Sequence, residues 1–421
     1  MAIPERIEKF LLSISDEDMK CLAEEVKRAL NFRNAVPLSK LELVLTEDCP
    51  FRCDYCFVEG KNRHGRMSVS TAKAAIDFLF SNCGKLSKLE ILLMGGEPLM
   101  EFDLIRRILP YANKKASAAG KSITWSITTN GVLVDEEKME FFQANGVPLL
   151  LSIDGDRKSQ DAHRRLADGG PTFDKVYPKI ALMLRYQPWL GARMTANADR
   201  AHTLLSDVQF LHGSGINQFI IGANQDAAWT HWDLAAYAAQ WEAVARYYME
   251  QRAVGSFMRM TSFERSLSQI KKNLAYVWGC DAGRGKFAVT ANGKIFGCTK
   301  YAKQNDGAGR YCFGDLKHGI MAEQFRKELQ DNRTSIRGRC MSCDIKEYCS
   351  GCCSADNLKK TGSIFLPTEI DCWFARNNIN MIARIPGLSE AHKNRRAQNP
   401  SSPTQQGKKD PGSAPKRRQS R

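Results

Sequence analysis

Twelve of the fourteen cysteines fall in two crowds, three between Cys49 and Cys56 and nine between Cys280 and Cys372. In a short secreted chain such crowding would read as a disulfide framework, but Met1 to Leu30 is charged throughout and lacks an apolar segment ending in a cleavage site. The expected setting is therefore cytoplasmic, where clustered thiols hold metal more often than they form bridges. No apolar run approaches the roughly 18 residues a membrane span needs. The longest, such as Val147 to Ile153, are strand-sized.

Between the crowds and before them, a length of 421 residues with 43% hydrophobic content allows two or three cored domains. From Lys40 to Gly222 short β-branched segments (Leu41 to Thr46, Leu89 to Met94, Ile123 to Thr128, Pro148 to Ile153, Ala192 to Thr195, Asn217 to Gly222) alternate with helical patterns. Those patterns cover Ser70 to Phe80, Asp103 to Ala119, Asp135 to Asn145, Phe173 to Arg185 and His202 to His212. Six such repeats predict an α/β fold with a parallel sheet, doubly wound or a partial barrel, with functional residues at the C-terminal strand ends. Domain boundaries are expected at 1–38 (helical accessory segment), 39–225 (core), 226–274 (helical bridge), 275–380 (cysteine-rich domain) and 389–421 (disordered basic tail).

The net charge of +15 raises the possibility of a nucleic-acid partner. Its distribution argues against one: Ser389 to Arg421 carries nine Lys/Arg against Glu390 and Asp410, so +7 lies in a tail too polar to order itself. An iron-sulfur RNA-modifying or nucleic-acid-binding protein is the alternative of another class.

Cys49-x3-Cys53-x2-Cys56 follows the first strand directly. Three thiolates on one loop can hold three irons of a four-iron cube and leave the fourth open, whereas zinc would want a fourth protein ligand, or water with His or carboxylate among the others. This spacing, followed by Phe57, resembles the radical S-adenosylmethionine (SAM) superfamily. Met94-Gly95-Gly96-Glu97-Pro98 resembles that family's motif for the cofactor's amino group. Asn130 and Ser152 close the third and fourth strands, where the family's polar residues reach cofactor or substrate, and Asp154 joins the expected catalytic set. Gln160-Asp161 and Arg164 resemble an HDxxR segment with Gln where His is usual, and Arg193 resembles a partner for the cofactor carboxylate, with a surface ion pair as the competing account.

Cys280, Gly293-x4-Cys298, Cys340-x2-Cys343-x5-Cys349-x3-Cys353 and Cys372 resemble the SPASM extension, with its two auxiliary [4Fe-4S] clusters. By that resemblance Cys340, Cys343, Cys349 and Cys372 close one cluster. Cys280, Cys298 and Cys353 hold the other, with Cys312, Cys352 or an open iron completing it and Cys312 the expected ligand. Cys21 and Cys83 fit no spacing.

The fold implied is a partial (β/α)6 TIM barrel, the radical SAM core, with a C-terminal SPASM domain. The cofactors implied are SAM and three [4Fe-4S] clusters. Reductive cleavage of SAM at the open iron would yield a 5'-deoxyadenosyl radical that takes hydrogen from a peptide side chain, with auxiliary clusters removing the second electron. The expected protein is an oxidoreductase that matures ribosomally made peptides, with a precursor peptide or protein as substrate and a low-potential flavodoxin or ferredoxin as donor. An anaerobic sulfatase-maturating enzyme is the alternative. Those enzymes usually place an Asp base after the Gly-x4-Cys cysteine, and here Thr299 stands there, a poor base.

Overall fold

The computed structural model describes residues 36–58, 65–264, 266, 280–303, 311–332, 337–346, 348–385 and 388. The helices expected over 4–33, the far end of the bridge, the basic tail and Cys21 lie outside them.

The core is a run of parallel strands, β1 (Lys40–Thr46), β2 (Lys88–Gly95), β3 (Ser122–Thr129), β4 (Leu149–Ser152), β5 (Gly191–Ala196) and β6 (Gln218–Ala223), side by side in chain order. A two-residue β7 (Arg259–Met260) adds to β6. Between them lie α1 (Val69–Asn82), α2 (Phe102–Ala118), α3 (Glu136–Ala144), α4 (Arg157–His163), α5 (Phe173–Val176), α6 (Lys179–Tyr186) and α7 (Leu204–Gly213). The helix expected over Phe173 to Arg185 is two pieces that break at Pro178, whose ring and missing N–H do not fit a helix interior. The Gln160 to Arg164 segment, expected only as a motif, is a helix capped by Asp156, which accepts from the Ser159 N–H.

Strand alternation explains both faces of the sheet. Leu41, Leu43 and Leu45 of β1, Trp125 and Ile127 of β3, and Ala192 and Met194 of β5 are buried in the core that the helices cover. Each large side chain there contributes roughly 1.5–3 kcal/mol. The opposite parity puts Glu42, Ser126, Thr128, Ser152, Arg193 and Thr195 on the inner face, where the β3 and β5 residues are only half-buried. That inner face is polar and, along β3 and β5, partly accessible, so it is where small molecules can sit.

After β6, α8 (His231–Ala253) starts in a capping box between Thr230 and Asp233. The cysteine-rich region then returns to the same sheet. β8 (Lys286–Val289) pairs parallel with β1, and β9 (Lys294–Phe296), β10 (Cys312–Asp315) and β11 (Gly319–Ile320) extend it antiparallel. It continues through α9 (Thr299–Lys303), α10 (Glu323–Gln330), α11 (Gly338–Met341), α12 (Ser354–Thr361) and α13 (Glu369–Arg384). The second cysteine crowd is therefore joined by backbone hydrogen bonds to the strand that delivers the first.

Candidate active site and auxiliary metal centres

The loop carrying Cys49, Cys53 and Cys56 leaves β1 and is held from two sides. Gly96 donates its N–H to the Thr46 carbonyl and Glu97 to that of Asp48, both at 2.8 Å. A Cβ on Gly95 would stand 2.1 Å from the Thr46 oxygen, and one on Gly96 2.2 Å from that of Asp48. Glycine is thus required there by the chain's own cysteine loop. On the other side, Arg52 donates to the Arg165 carbonyl at 2.7 Å, Ala167 to that of Pro50 at 2.8 Å and Asp54 to that of His163 at 3.2 Å.

Within this cradle the Cys49 sulfur accepts from the Phe51 N–H at 3.4 Å and the Asn130 amide at 3.5 Å. Burial pushes the Cys53 thiol up to about 11, so without a cation to hold its thiolate it stays protonated at neutral pH. Among the described residues no three Cys, His, Asp or Glu side chains converge closely enough for a single metal ion.

Tyr55, between Cys53 and Cys56, donates its hydroxyl to Asp154 at 2.5 Å. The same buried carboxylate accepts a two-pronged pair from Arg164, at 2.8 and 2.9 Å, and the Thr195 N–H at 2.8 Å. The Asp154 N–H in turn donates to the Gln160 amide oxygen, whose NH2 donates to the Thr172 hydroxyl. Gln160, fully buried, thus satisfies both ends of its amide in the place where the resembling motif carries His. Asp154 ties the cysteine loop to β4, β5 and α4.

Glu97, expected to touch the cofactor, is 1% exposed. It accepts from the Thr129 hydroxyl (2.8 Å), the Leu99 N–H (3.1 Å) and the Asn130 N–H (2.7 Å). Burial raises its pKa to about 7, against the pull of these donors. It therefore orders the ends of β2 and β3. Ser152 is buried beside this end, with no hydrogen bond from its hydroxyl among the described residues.

Arg193 has no carboxylate partner among the described residues, and its guanidinium reaches only the carbonyls of Ile220 at 3.2 Å and Met194 at 3.4 Å. Burial, then repulsion from Arg164, lowers its pKa. A surface ion pair is thereby replaced by a half-buried cation on the inner face with no carboxylate partner among the described residues, which fits the carboxylate of a methionine-type cofactor.

In the second crowd, Cys340, Cys343, Cys349, Cys352 and Cys372 line one cavity. Cys352 hydrogen-bonds Cys349 and lowers its pKa, and is the single non-glycine residue with positive φ among the described residues, at 64°. The sequence left Cys352 as a candidate for the other site; no spacing rule distinguishes it from Cys353, whereas the backbone reversal does. The buried Arg337 guanidinium, hydrogen-bonded to Gly351 and Asn332, lies among Cys340, Cys352 and Cys349 and would offset thiolate charge.

Cys280, Cys298 and Cys353 come together: each perturbs the Tyr301 hydroxyl, and Cys280 and Cys353 both act on Cys298. Cys312 instead turns its thiol to the Gly314 carbonyl at 3.1 Å. Thr299 donates both its N–H and its hydroxyl to Glu42 of β1, each at 2.7 Å, and Glu42 pairs with Lys286 at 3.1 Å. The fully buried Tyr301 hydroxyl makes no hydrogen bond among the described residues, an orphaned donor consistent with a sulfur-rich group between these thiols.

A cavity of about 650 Å³ opens beside the first loop, lined by Tyr55, Cys56, Phe57, Asn197, Asn224 and, from the cysteine-rich region, Lys359. No helix among the described residues is long and apolar enough to cross a membrane.

Residues 43–190 match the Radical SAM superfamily. The chain is 22% identical over 384 residues to the radical SAM cyclopropyl synthase TigE of Paramaledivibacter caminithermalis, across 86% of this chain and 78% of that protein. It is 24% identical over 350 residues to a serine-type anaerobic sulfatase-maturating enzyme of Bacteroides thetaiotaomicron, across 74% and 81%. Among solved structures, native anSMEcpe with bound AdoMet aligns with a TM-score of 0.70 at 19% identity, over 85% of this chain and all of that one. Streptococcus suis SuiB bound to its precursor peptide SuiA aligns at 0.57 and 16%, over 85% and 82%. Taken with the cysteine loop and the sheet beneath it, these likenesses show that the chain carries a radical SAM domain in the fold of the SPASM-type enzymes.

Proposed function

We propose that this protein modifies a peptide or protein side chain, as a maturase of a ribosomally made precursor that forms an oxidative crosslink or a related two-electron oxidation. When bound, SAM and a [4Fe-4S] cluster on Cys49, Cys53 and Cys56 would supply the 5'-deoxyadenosyl radical, and two auxiliary clusters the electron sink. Arg193 would bind the cofactor carboxylate, with Gly95, Gly96, Asn130 and Ser152 lining the same strand ends. Tyr55, Asp154 and Arg164 hold the cysteine loop in register with them.

The observation that carries a peptide substrate is the cavity of about 650 Å³ between the first cysteine loop and Lys359, whose lining mixes Tyr55 and Phe57 with Asn197 and Asn224 and so offers a peptide both apolar and hydrogen-bonding contacts. The likeness of fold to a SuiB bound to its precursor peptide supports the same class. The sulfatase-maturase alternative is disfavoured at Thr299, whose hydroxyl is 3% exposed and already donated to Glu42. Such a group is a poor base for a substrate alcohol or thiol.

A low-potential flavodoxin or ferredoxin is the donor this chemistry requires, in a compartment that keeps thiols reduced. The test is anaerobic turnover with the short peptide encoded beside this gene and, separately, a sulfatase peptide. A precursor product lighter by a pair of hydrogens supports the reading. Formylglycine in the sulfatase peptide, with the precursor untouched, overturns it.

A further inference from the structure

Tyr301 is 0% exposed and sits on α9, one helical turn after Cys298. Its ring is fixed by Phe325, edge-on at 5.6 Å, and by Tyr311 at 6.1 Å. Phenylalanine would fill that aromatic pocket equally well and would leave no polar atom to satisfy. The hydroxyl makes no well-aligned hydrogen bond among the described residues, and the side chain of Ser354 is the polar group beside it. A buried hydroxyl left alone costs stability, so its presence asks for an acceptor that arrives later. The helical turn that carries it starts at Cys298, whose carbonyl accepts from the Ala302 N–H at 3.3 Å, and the thiols of Cys298, Cys353 and Cys280 are near enough to act on its charge.

The fixed charges near these thiols are already balanced. Lys286 is paired with Glu42 at 3.1 Å and Lys300 with Asp356. Among the described residues, the Tyr301 hydroxyl is then a dipole at this site without a well-aligned acceptor.

We propose that the Tyr301 hydroxyl donates a hydrogen bond to a sulfur of the auxiliary cluster held by Cys280, Cys298 and Cys353, and thereby raises that cluster's reduction potential. The inference rests on the auxiliary-cluster reading above. A donor stabilises the reduced, more negative cluster more than the oxidised one, so the bond moves the potential upward. Tyr301 is a tuning residue that acts through the cluster: it makes the acceptance of one electron from a substrate radical more favourable.

The experiment is an anaerobic redox titration followed by electron paramagnetic resonance, on the iron-loaded full chain with Cys49, Cys53 and Cys56 replaced by Ala so that the auxiliary signals are isolated. Tyr301→Phe is expected to shift one auxiliary cluster about tenfold toward its oxidised form at fixed potential, about 59 mV for a one-electron couple, and to leave the other in place. In parallel, the protein with Tyr301 intact should show coupling between the reduced cluster and an exchangeable proton, lost in D2O. Where Tyr301→Phe does not fold, incorporation of 3-fluorotyrosine, which keeps the ring and makes the hydroxyl a stronger donor, should instead raise the same cluster's potential and change that proton coupling. An unmoved potential, or no exchangeable proton that depends on Tyr301, overturns the assignment. Iron content separates this failure from that of the underlying reading: if Cys280→Ala with Cys298→Ala removes no iron, the cluster itself is not there.

Discussion

At the scale of single residues, the inner face holds two groups whose charge state is costly. Arg193 is a half-buried cation with only carbonyl partners among the described residues, so Arg193→Met should weaken SAM binding by roughly 10–100-fold, the worth of one charge-assisted pair. The cofactor-free protein should lose little stability, because a partly desolvated charge without an opposite charge has been removed. Calorimetric titration beside a denaturant melt checks both halves; equal affinity would remove Arg193 from the cofactor site. Glu97 has its pKa raised to about 7 from an ordinary 4.5. The folded chain therefore binds the proton more tightly than the unfolded one, and this stabilising contribution is complete below pH 4.5 and is lost as pH rises through 7. Between pH 6 and pH 8 the wild-type unfolding free energy should fall by about 1 kcal/mol more than that of Glu97→Gln, read from urea midpoints. Glu97 was legible as a motif member, yet its partners Thr129 and Asn130 come from the next strand end and carry no local signal.

At the scale of elements, the strap between the cysteine loop and α4 decides whether three thiols stay on one side of a cube. Asp154 and Arg164 form its buried ion pair, and removing one partner leaves the other charged and unpaired. Asp154→Asn should cost about 3–5 kcal/mol in a denaturant melt and release iron from the first site. A variant with unchanged iron and stability would make the strap irrelevant. The β/α alternation was legible because each strand shows period-two burial and each helix a 3.6-residue apolar stripe. Pro178 and the short α4 were not, since four to seven residues hold too few turns to reveal a period.

At the scale of the molecule, pairing of β8 with β1 makes one sheet serve both cysteine crowds. That long-range pairing, and the Thr299–Glu42 contact 257 residues apart, leave no trace in local pattern, whereas the cysteine spacings are local and survive in the sequence. Three cubes would load about twelve irons per chain. Cys372→Ala should lose about four of them and uncouple the reaction, with 5'-deoxyadenosine still formed and modified peptide suppressed. Unaltered product yield would remove the auxiliary role of Cys372. The most direct measurement is the yield of 5'-deoxyadenosine when the reduced, iron-loaded chain meets SAM. The account requires its formation by the native protein and none from the variant with Cys49, Cys53 and Cys56 replaced by Ala. Equal yields from the two, or none from the native protein, would contradict it.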